Sequence, residues 1–393
     1  MKWLRDILDK IAPTFKADGK LEKLYPIFEA TDTILFSTDE RTHSGPHIRD
    51  SVDVKRVMIL VVIALIPCYV FGAMNVGYQM AVALGQSSTM QENLMNGALK
   101  ILPIIAVAFA SGAFWELLFA VVRRHPVSEG FLVTCALIPL VMPPTIPLWQ
   151  VAVATTFGIV IGKEIFGGVG MNIFNPALVA RAFLFFTYPG RISGDKVWVS
   201  GPDGYSGATA LAVPAAELSQ DAVTLLDSVT QFDFSWINLF MGWIPGSIGE
   251  TSTLWIMVGA VFLALTGIAS WRVMVGAILG LTGMAALTNF MAEITGSTNT
   301  MLTLPAHYHL VMGGFAFSVA FMATEPVTGA HTDKGRWIYG IFIGGLTVII
   351  RSINPAYPEG AMLAILLMNA FASLIDYFVI QGNIKRRMVR YAQ

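Results

Sequence analysis

The stretch Gly167-Gly168-Val169-Gly170-Met171-Asn172-Ile173-Phe174-Asn175-Pro176-Ala177 decides how this chain is arranged. It is a Gly-rich reversal between two apolar runs, and it ends in an Asn-Pro pair suited to opening a helix. The same order of signals returns later. Gly130-Phe131-Leu132 leads to Pro143-Pro144, and Gly314-Phe315-Ala316 leads to Glu325-Pro326. A Gly-rich span follows in each half, then Asn175-Pro176-Ala177 in one and Asn354-Pro355-Ala356 in the other. Asn-Pro is also an ordinary helix start, so the dipeptide alone proves nothing. Order and spacing together argue for an internal repeat.

Ten apolar segments surround these signals, at roughly 57–76, 101–122, 130–146, 149–167, 175–189, 253–270, 272–292, 308–324, 337–352 and 360–381. Several approach the ~20 residues that a bilayer requires. The third and fifth are short and carry Pro or Gly, which suits only broken helices packed inside protein. Five spans per half is an odd number, so the second half is inverted relative to the first. The expected fold is an all-α polytopic membrane protein of about ten transmembrane helices in two inverted five-helix repeats. Its expected divisions are an N-terminal segment over 1–55, repeats over 56–189 and 253–382, a loop over 190–252, and a basic tail over 383–393. Inverted repeats with helices interrupted at matching places are a transporter pattern, with binding sites at the repeat interface.

Composition points the same way. The 393 residues are 55% hydrophobic and 13% charged, with mean hydropathy +0.64. A soluble domain carries about 25% charged residues, so lipid is the natural solvent here. A net charge of −1 argues against nucleic acid binding. Cys68 and Cys135 lie inside apolar runs and read as small buried hydrophobes. No Cys/His spacing suggests a metal site. Of the 25 Lys and Arg, only Lys100, Arg191, Lys196 and Arg351 fall outside if the N-terminus is cytoplasmic. By the positive-inside rule both termini are cytoplasmic and the 190–252 loop is on the outer side. Trp3, Leu4, Ile7, Leu8 and Ile11 share one helical face opposite Lys2, Asp6, Asp9 and Lys10, which predicts an amphipathic helix on the membrane or on a partner. No early apolar run follows, so no cleaved signal peptide is expected.

Four acids lie in or at the ends of apolar spans: Glu116, Glu164, Glu325 and Asp376. A charge at the centre of a span costs ~2.5–3.5 kcal/mol. Helix-end placement explains such acids as well as a cation or proton path does, and for Glu164 an ion pair with Lys163 is favoured. Asn172 and Asn175 flank the Gly-rich turn, either as a helix cap or as a ring- or anion-binding element. His307 and His309, at the outer start of the eighth span, read as interfacial rather than metal-binding. Gly246-Ser247-Ile248-Gly249-Glu250-Thr251-Ser252 sits on the same side as the 190–252 loop and is a candidate pocket wall. There is no P-loop, no dinucleotide fingerprint and no nucleophile triad, so this chain is not expected to bind NADH itself.

The loop contains Asp203-Gly204-Tyr205-Ser206-Gly207-Ala208-Thr209. A lone Ser-Gly-Ala-Thr is usually a turn. The full Asp-x-x-Ser-Gly-Ala-Thr pattern resembles the recognition motif of the flavin transferase that joins FMN through its phosphate to a threonine. It occurs with Gly162-Lys163-Glu164-Ile165-Phe166-Gly167-Gly168, Asn172-Ile173-Phe174-Asn175-Pro176-Ala177-Leu178, Ile244-Pro245-Gly246-Ser247-Ile248-Gly249-Glu250 and Asn354-Pro355-Ala356-Tyr357-Pro358-Glu359-Gly360. Over essentially its whole length the chain resembles the NqrB family, the B subunits of the sodium-translocating NADH:quinone oxidoreductase, a six-subunit complex of the bacterial inner membrane.

That resemblance implies a urea/ammonium-channel-like fold and a redox role in an enzyme that passes electrons to ubiquinone while moving sodium outward. It implies covalent FMN on Thr209 within the motif Asp203, Ser206, Gly207 and Ala208, and non-covalent riboflavin near Asn172 and Asn175. Glu29, Glu116, Glu325 and Asp376 match acids tied to cation uptake; Glu325 stands where Asp is common in the family. Gly112-Ala113 stands where the family has the Gly-Gly of its quinone site. The implied partners are the five other subunits (A, C, D, E and F), ubiquinone, sodium and the flavin transferase, with the Thr209 loop periplasmic. The rival readings are an RnfD-type flavoprotein of the Rnf complex and a non-redox channel of the urea/ammonium type.

Overall fold

The computed structural model describes residues 2–15, 21–26, 28–29, 32, 36, 44–45, 54–125, 127–128, 130–202, 204–217, 221–354 and 360–391. Regular structure among them is helical. Helix occupies each of the ten apolar segments. Helix α1 is Lys2–Phe15; the first half then holds α2 (Val54–Ala83), α3 (Met90–Arg123), α4 (Gly130–Leu140), α5 (Leu148–Val160) and α6 (Pro176–Thr187). The second half holds α7 (Thr253–Leu265), α8 (Trp271–Thr295), α9 (Ala306–Val311), a broken piece over Phe315–Met322, α10 (Asp333–Ile353) and α11 (Gly360–Tyr391). Among the described residues, six helices are long and apolar enough to cross a membrane: Arg56–Ala83, Met90–Arg123, Leu148–Phe166, Trp271–Thr295, Asp333–Ile353 and Gly360–Arg390.

Helix ends follow local chemistry. α3 starts well before its apolar run because Thr89 and Glu92 form a capping box. The Thr89 hydroxyl accepts from the Glu92 N–H, and the Glu92 carboxylate accepts from the Thr89 N–H at 2.8 Å. α11 continues through the basic residues from Lys385 to Arg390, so that stretch extends the last span as helix. In α1, Leu8 is buried while Trp3, Ile7 and Ile11 stay exposed. Arg5 pairs with Asp9 at 3.1 Å and with Asp32 at 2.8 Å, which ties the helix to its own N-terminal segment.

Glycines let several helix pairs pack backbone to backbone. Gly276 and Gly280 on α8 face Gly340 and Gly344 on α10, a small-xxx-small pair on each side. A Cβ on Gly280 would lie 2.0 Å from the Ile341 carbonyl oxygen, and one on Gly344 2.0 Å from that of Ala277. In the first half, Gly77 and Gly97 bring α2 and α3 equally close. One hydrophobic core then runs through both halves, from Leu65, Ile104 and Ile138 to Leu281, Phe317 and Ile365. Cys68 and Cys135 are free and buried within the bundle.

From the sequence, 190–252 reads as a polar loop; in the structure it is a packed lobe. Short helices Pro189–Ile192, Ala212–Ala216, Ala222–Ser228 and Trp236–Met241 enclose Val199, Leu211, Leu226 and Phe234, which pack on Met301, Leu304 and Met312. Alternating polar residues on short elements masked this core. After the lobe the chain turns inward. The N–H of Ile248 donates to the Met142 carbonyl at 3.0 Å, and that of Gly249 to Leu140 at 2.7 Å.

The glycine contacts set a first expectation. Gly344→Val should force α8 and α10 apart at about 1–3 kcal/mol. Thermal unfolding in detergent should show a lowered midpoint, while Gly382→Val, with open space at its Cβ, should leave it unchanged.

Candidate functional site

Residues expected to carry function gather at two polar places in this apolar bundle. The outer one is built by the lobe. Thr209 lines a pocket with Trp198, Leu211, Ile244, Gly246, Ser247, Glu250, Thr251, Gly313 and Gly314. The 246–252 stretch expected to wall a pocket therefore does stand beside Thr209. Ser206 is exposed, Gly207 buried, and Ala208 and Thr209 half-buried. Asp203 lies outside the described residues. Two residues that the sequence did not single out brace the motif. The Ser206 hydroxyl donates to the Asp195 carboxylate at 2.7 Å, and the Gly207 N–H donates to the Asp195 carbonyl at 2.6 Å. The Gln231 amide donates to the Ser206 carbonyl at 2.7 Å. The Ser206 hydrogen bond holds the Asp195 carboxyl below its ordinary range.

Buried charge lies behind this pocket. Arg181 on α6 donates to Glu250 at 2.6 Å, with both side chains buried. A Cβ on Gly314 would come 2.4 Å from the Glu250 carboxylate, so glycine there gives Glu250 its room. Arg351 on α10 is fully buried. It donates to the main-chain carbonyls of His309 at 2.9 Å and Met312 at 3.0 Å. His309 is fully buried too, with its ring 3.4 Å from the Arg351 guanidinium. This corrects two expectations. His309 is not interfacial, and Arg351 is an interior group rather than an outer-surface charge. Its carbonyl partners, supplied by the broken eighth segment, are what make burial tolerable. Of the two histidines, His307 is the exposed one.

The inner place is a cavity lined by Lys163, Asn172, Asn175 and Glu325 among Val57, Gly130, Val133, Leu263 and Phe321. Broken helices make it. On one side is the turn after α5, where Gly167, Gly168 and Gly170 take φ of +122°, +101° and +89°, a region open to glycine. On the other, Ser318–Met322 winds as a π-helical turn just ahead of Glu325; such turns recur at functional sites. Asn175 serves as cap and lining at once. Its side-chain oxygen accepts from the N–H groups of Ala177 and Leu178 at 3.0 and 3.1 Å. The side-chain amides of Asn175 and Asn172 face the Glu325 carboxylate, which also accepts from the Thr328 hydroxyl at 3.0 Å. Asn172, Asn175 and Glu325, distant in sequence, thus share one cavity.

A charge network adjoins it. Lys163 donates to Glu116 on α3 and lies 3.3 Å from Glu164. Arg123 binds Glu164 twice, at 3.0 Å through its carboxylate and 2.6 Å through its carbonyl. The expected Lys163–Glu164 pair is present, and Arg123 and Glu116 extend it. Gly112, one turn before Glu116, packs against Cys135 and Ile159 inside the bundle, and Ala113 is half-buried. Asp376 sits apart. It accepts from the N–H of His331 at 2.7 Å and from the N–H and hydroxyl of Thr332 at 3.0 and 2.5 Å. Glu29 is half-buried in the N-terminal segment. Among the described residues no group of His, Cys, Asp and Glu could hold a metal ion.

These features define a class: a multi-pass helical membrane protein with a polar cavity between interrupted helices and a hydroxyl-bearing pocket in a folded lobe. The chain belongs to the NQR2, RnfD, RnfE family, which matches residues 41–385. Similar proteins are named as the B subunit of the Na(+)-translocating NADH-quinone reductase. That of Chromohalobacter salexigens is 49% identical over 99% of this chain and 97% of its own length. That of Neisseria meningitidis serogroup B is 47% identical, covering 98% and 99%. That of Pseudomonas paraeruginosa is 45% identical over the same shares.

The ion pair behind the outer pocket gives a stability test. Arg181→Met leaves the Glu250 carboxylate buried without its partner, at about 3–5 kcal/mol. Unfolding of the Arg181→Met/Glu250→Gln double variant should recover part of that loss; no recovery would mean that the two side chains act independently.

Proposed function

We propose that the chain is the NqrB-type redox subunit of a respiratory sodium-translocating NADH:quinone oxidoreductase, with FMN esterified to Thr209 and riboflavin in the inner cavity. The observation that carries this reading is Thr209 itself. It ends a Ser-Gly-Ala-Thr motif whose serine is exposed and whose backbone is braced from both sides, at the edge of a pocket, in a chain whose relatives bear that enzyme's name. An exposed, held loop is what an external transferase needs. Gly246, Gly313 and Gly314 line the same pocket as Thr209, so a phosphoester-linked flavin at its mouth would meet backbone there. In the cavity, the amides of Asn172 and Asn175 offer hydrogen-bonding groups to a ring, and the aliphatic lining suits its flat faces.

Bound flavins would supply one-electron carriage between NADH-derived electrons and ubiquinone. The protein's share is placement. Ser206, Gly207 and Ala208 present Thr209, and Arg181–Glu250 fixes the pocket's floor. Asn172 and Asn175 orient what enters the cavity, with Glu325, Glu116, Asp376 and Glu29 as acids along a sodium path. Gly112 and Ala113 mark the region for the quinone. The two halves, 56–189 and 253–382, then act as inverted five-helix repeats related to urea and ammonium channels. The 1–55 and 383–393 segments are cytoplasmic, and the 190–252 lobe is periplasmic at the bacterial inner membrane. The five partner subunits, A, C, D, E and F, complete the enzyme.

An RnfD-type flavoprotein would share Thr209 but would not support quinone reduction with NADH. A non-redox channel would be colourless when made alongside the transferase. Denaturing gels decide the attachment: flavin fluorescence should migrate with the wild-type chain and vanish in Thr209→Val. A fluorescent band in that variant overturns the assignment. Asp376→Asn should slow sodium-stimulated quinone reduction and keep the covalent flavin. Unchanged sodium dependence would leave Asp376 with its turn-anchoring role alone.

A further inference from the structure

We propose that Lys163 is a tethered cation that occupies the Glu116 carboxylate until a free cation displaces it, so that the Lys163–Glu116 pair is where an entering sodium ion must compete. The proposal rests on the sodium-coupled reading above and names how one of its acids is controlled.

Both side chains are 2% exposed, and a charge pair buried so deeply must be matched to persist. Glu164 has its own cation in Arg123, bound through two contacts. Lys163 is the ion-pair partner of Glu116 and also lies 3.3 Å from Glu164. His125 is the remaining titratable neighbour with electrostatic reach to Glu116, and the Cys135 thiol lies alongside. Lys163 also lines the inner cavity with Asn172, Asn175 and Glu325. Its ammonium already bridges two carboxylates, Glu116 and, at 3.3 Å, Glu164. The backbone helps, because Lys163 stands where α5 breaks, just before a turn with three glycines at positive φ. A lysine on a four-carbon stem can swing between such partners, whereas the planar fork of arginine is fixed by bidentate geometry.

The exchange balances in charge. A sodium ion at Glu116 replaces the ammonium, a carboxylate oxygen being a ligand suited to a hard cation. The ammonium moves onto Glu164, already 3.3 Å away, and the net charge of the buried set rises by one. One electron delivered to the cavity lowers it by one. Each event makes the other easier, which is a coupling with an identified moving charge.

The test uses the full complex. If Lys163 holds the site about nine-tenths of the time, sodium binds about tenfold more weakly than its intrinsic affinity. Lys163→Gln should lower the half-saturating sodium concentration for quinone reduction by about tenfold. Sodium-dependent thermal stabilisation of the purified complex should shift to lower sodium by the same factor. Wild-type half-saturation in the variant overturns the proposal. A wild-type complex with no sodium response on either measure overturns the sodium-coupled reading and the proposal together. Should Lys163→Gln not assemble, the neutral Glu116→Gln/Lys163→Gln complex replaces it. Loss of the saturable sodium response there supports the site, and a wild-type response overturns it.

Discussion

A membrane offers no water to bond a peptide group, so every backbone N–H and C=O at depth must find its partner in protein. Most of this chain meets that constraint with long helices. The exceptions are the turn after α5, the inward strip Ser247–Ser252, and the broken piece between α9 and α10. The strip Ser247–Ser252 is buried throughout, while the turn after α5 leaves Gly167, Gly170 and Met171 exposed and reaches the interior through Lys163, Glu164 and Asn172. Ile248 and Gly249 bond the end of α4, and the Met312 and His309 carbonyls are held by Arg351. Where irregular backbone enters the bundle, it opens the two polar places.

Buried charges obey the same rule. Lys163, Glu116, Glu164 and Arg181 are nearly inaccessible, and each meets an opposite charge on another element or in an adjacent turn. Arg351 is matched by carbonyl dipoles instead. The pairs join elements far apart in sequence: α3 to the end of α5, and α6 to the strip before α7. They cost desolvation and return specificity, because a shifted helix would strand a charge.

How much of this was legible beforehand divides by mechanism. Apolar runs are local, so all ten segments were readable, and the Pro and Gly in the third and fifth announced their shortness. The Thr89–Glu92 box is local as well, but the polar first turns of α3 concealed its start. Long-range pairing is not local. Nothing near Glu116 announces Lys163, and nothing near Ser206 announces Asp195 or Gln231. The core of the lobe was hidden because its hydrophobes are scattered through short helices. Charge counting treated Arg181, Lys163 and Arg351 as topological markers, although all three are interior. The Asn354-Pro355-Ala356 echo runs into residues 355–359, which lie outside the described set.

The eighth segment contributes to both polar places. Its start supplies Gly313 and Gly314 to the pocket at Thr209, and its end supplies Phe321, Thr324 and Glu325 to the inner cavity. Between them lies a π-helical turn, where the backbone bonds from Ala323 back to Ser318 at 2.8 Å. Such turns recur at functional sites. A change in charge at either end therefore has a short, contiguous element through which to act on the other. The buried groups that bear on that element, Glu250 beside Gly314 and Asn172 and Asn175 beside Glu325, are fixed from the opposite half of the chain or from the lobe.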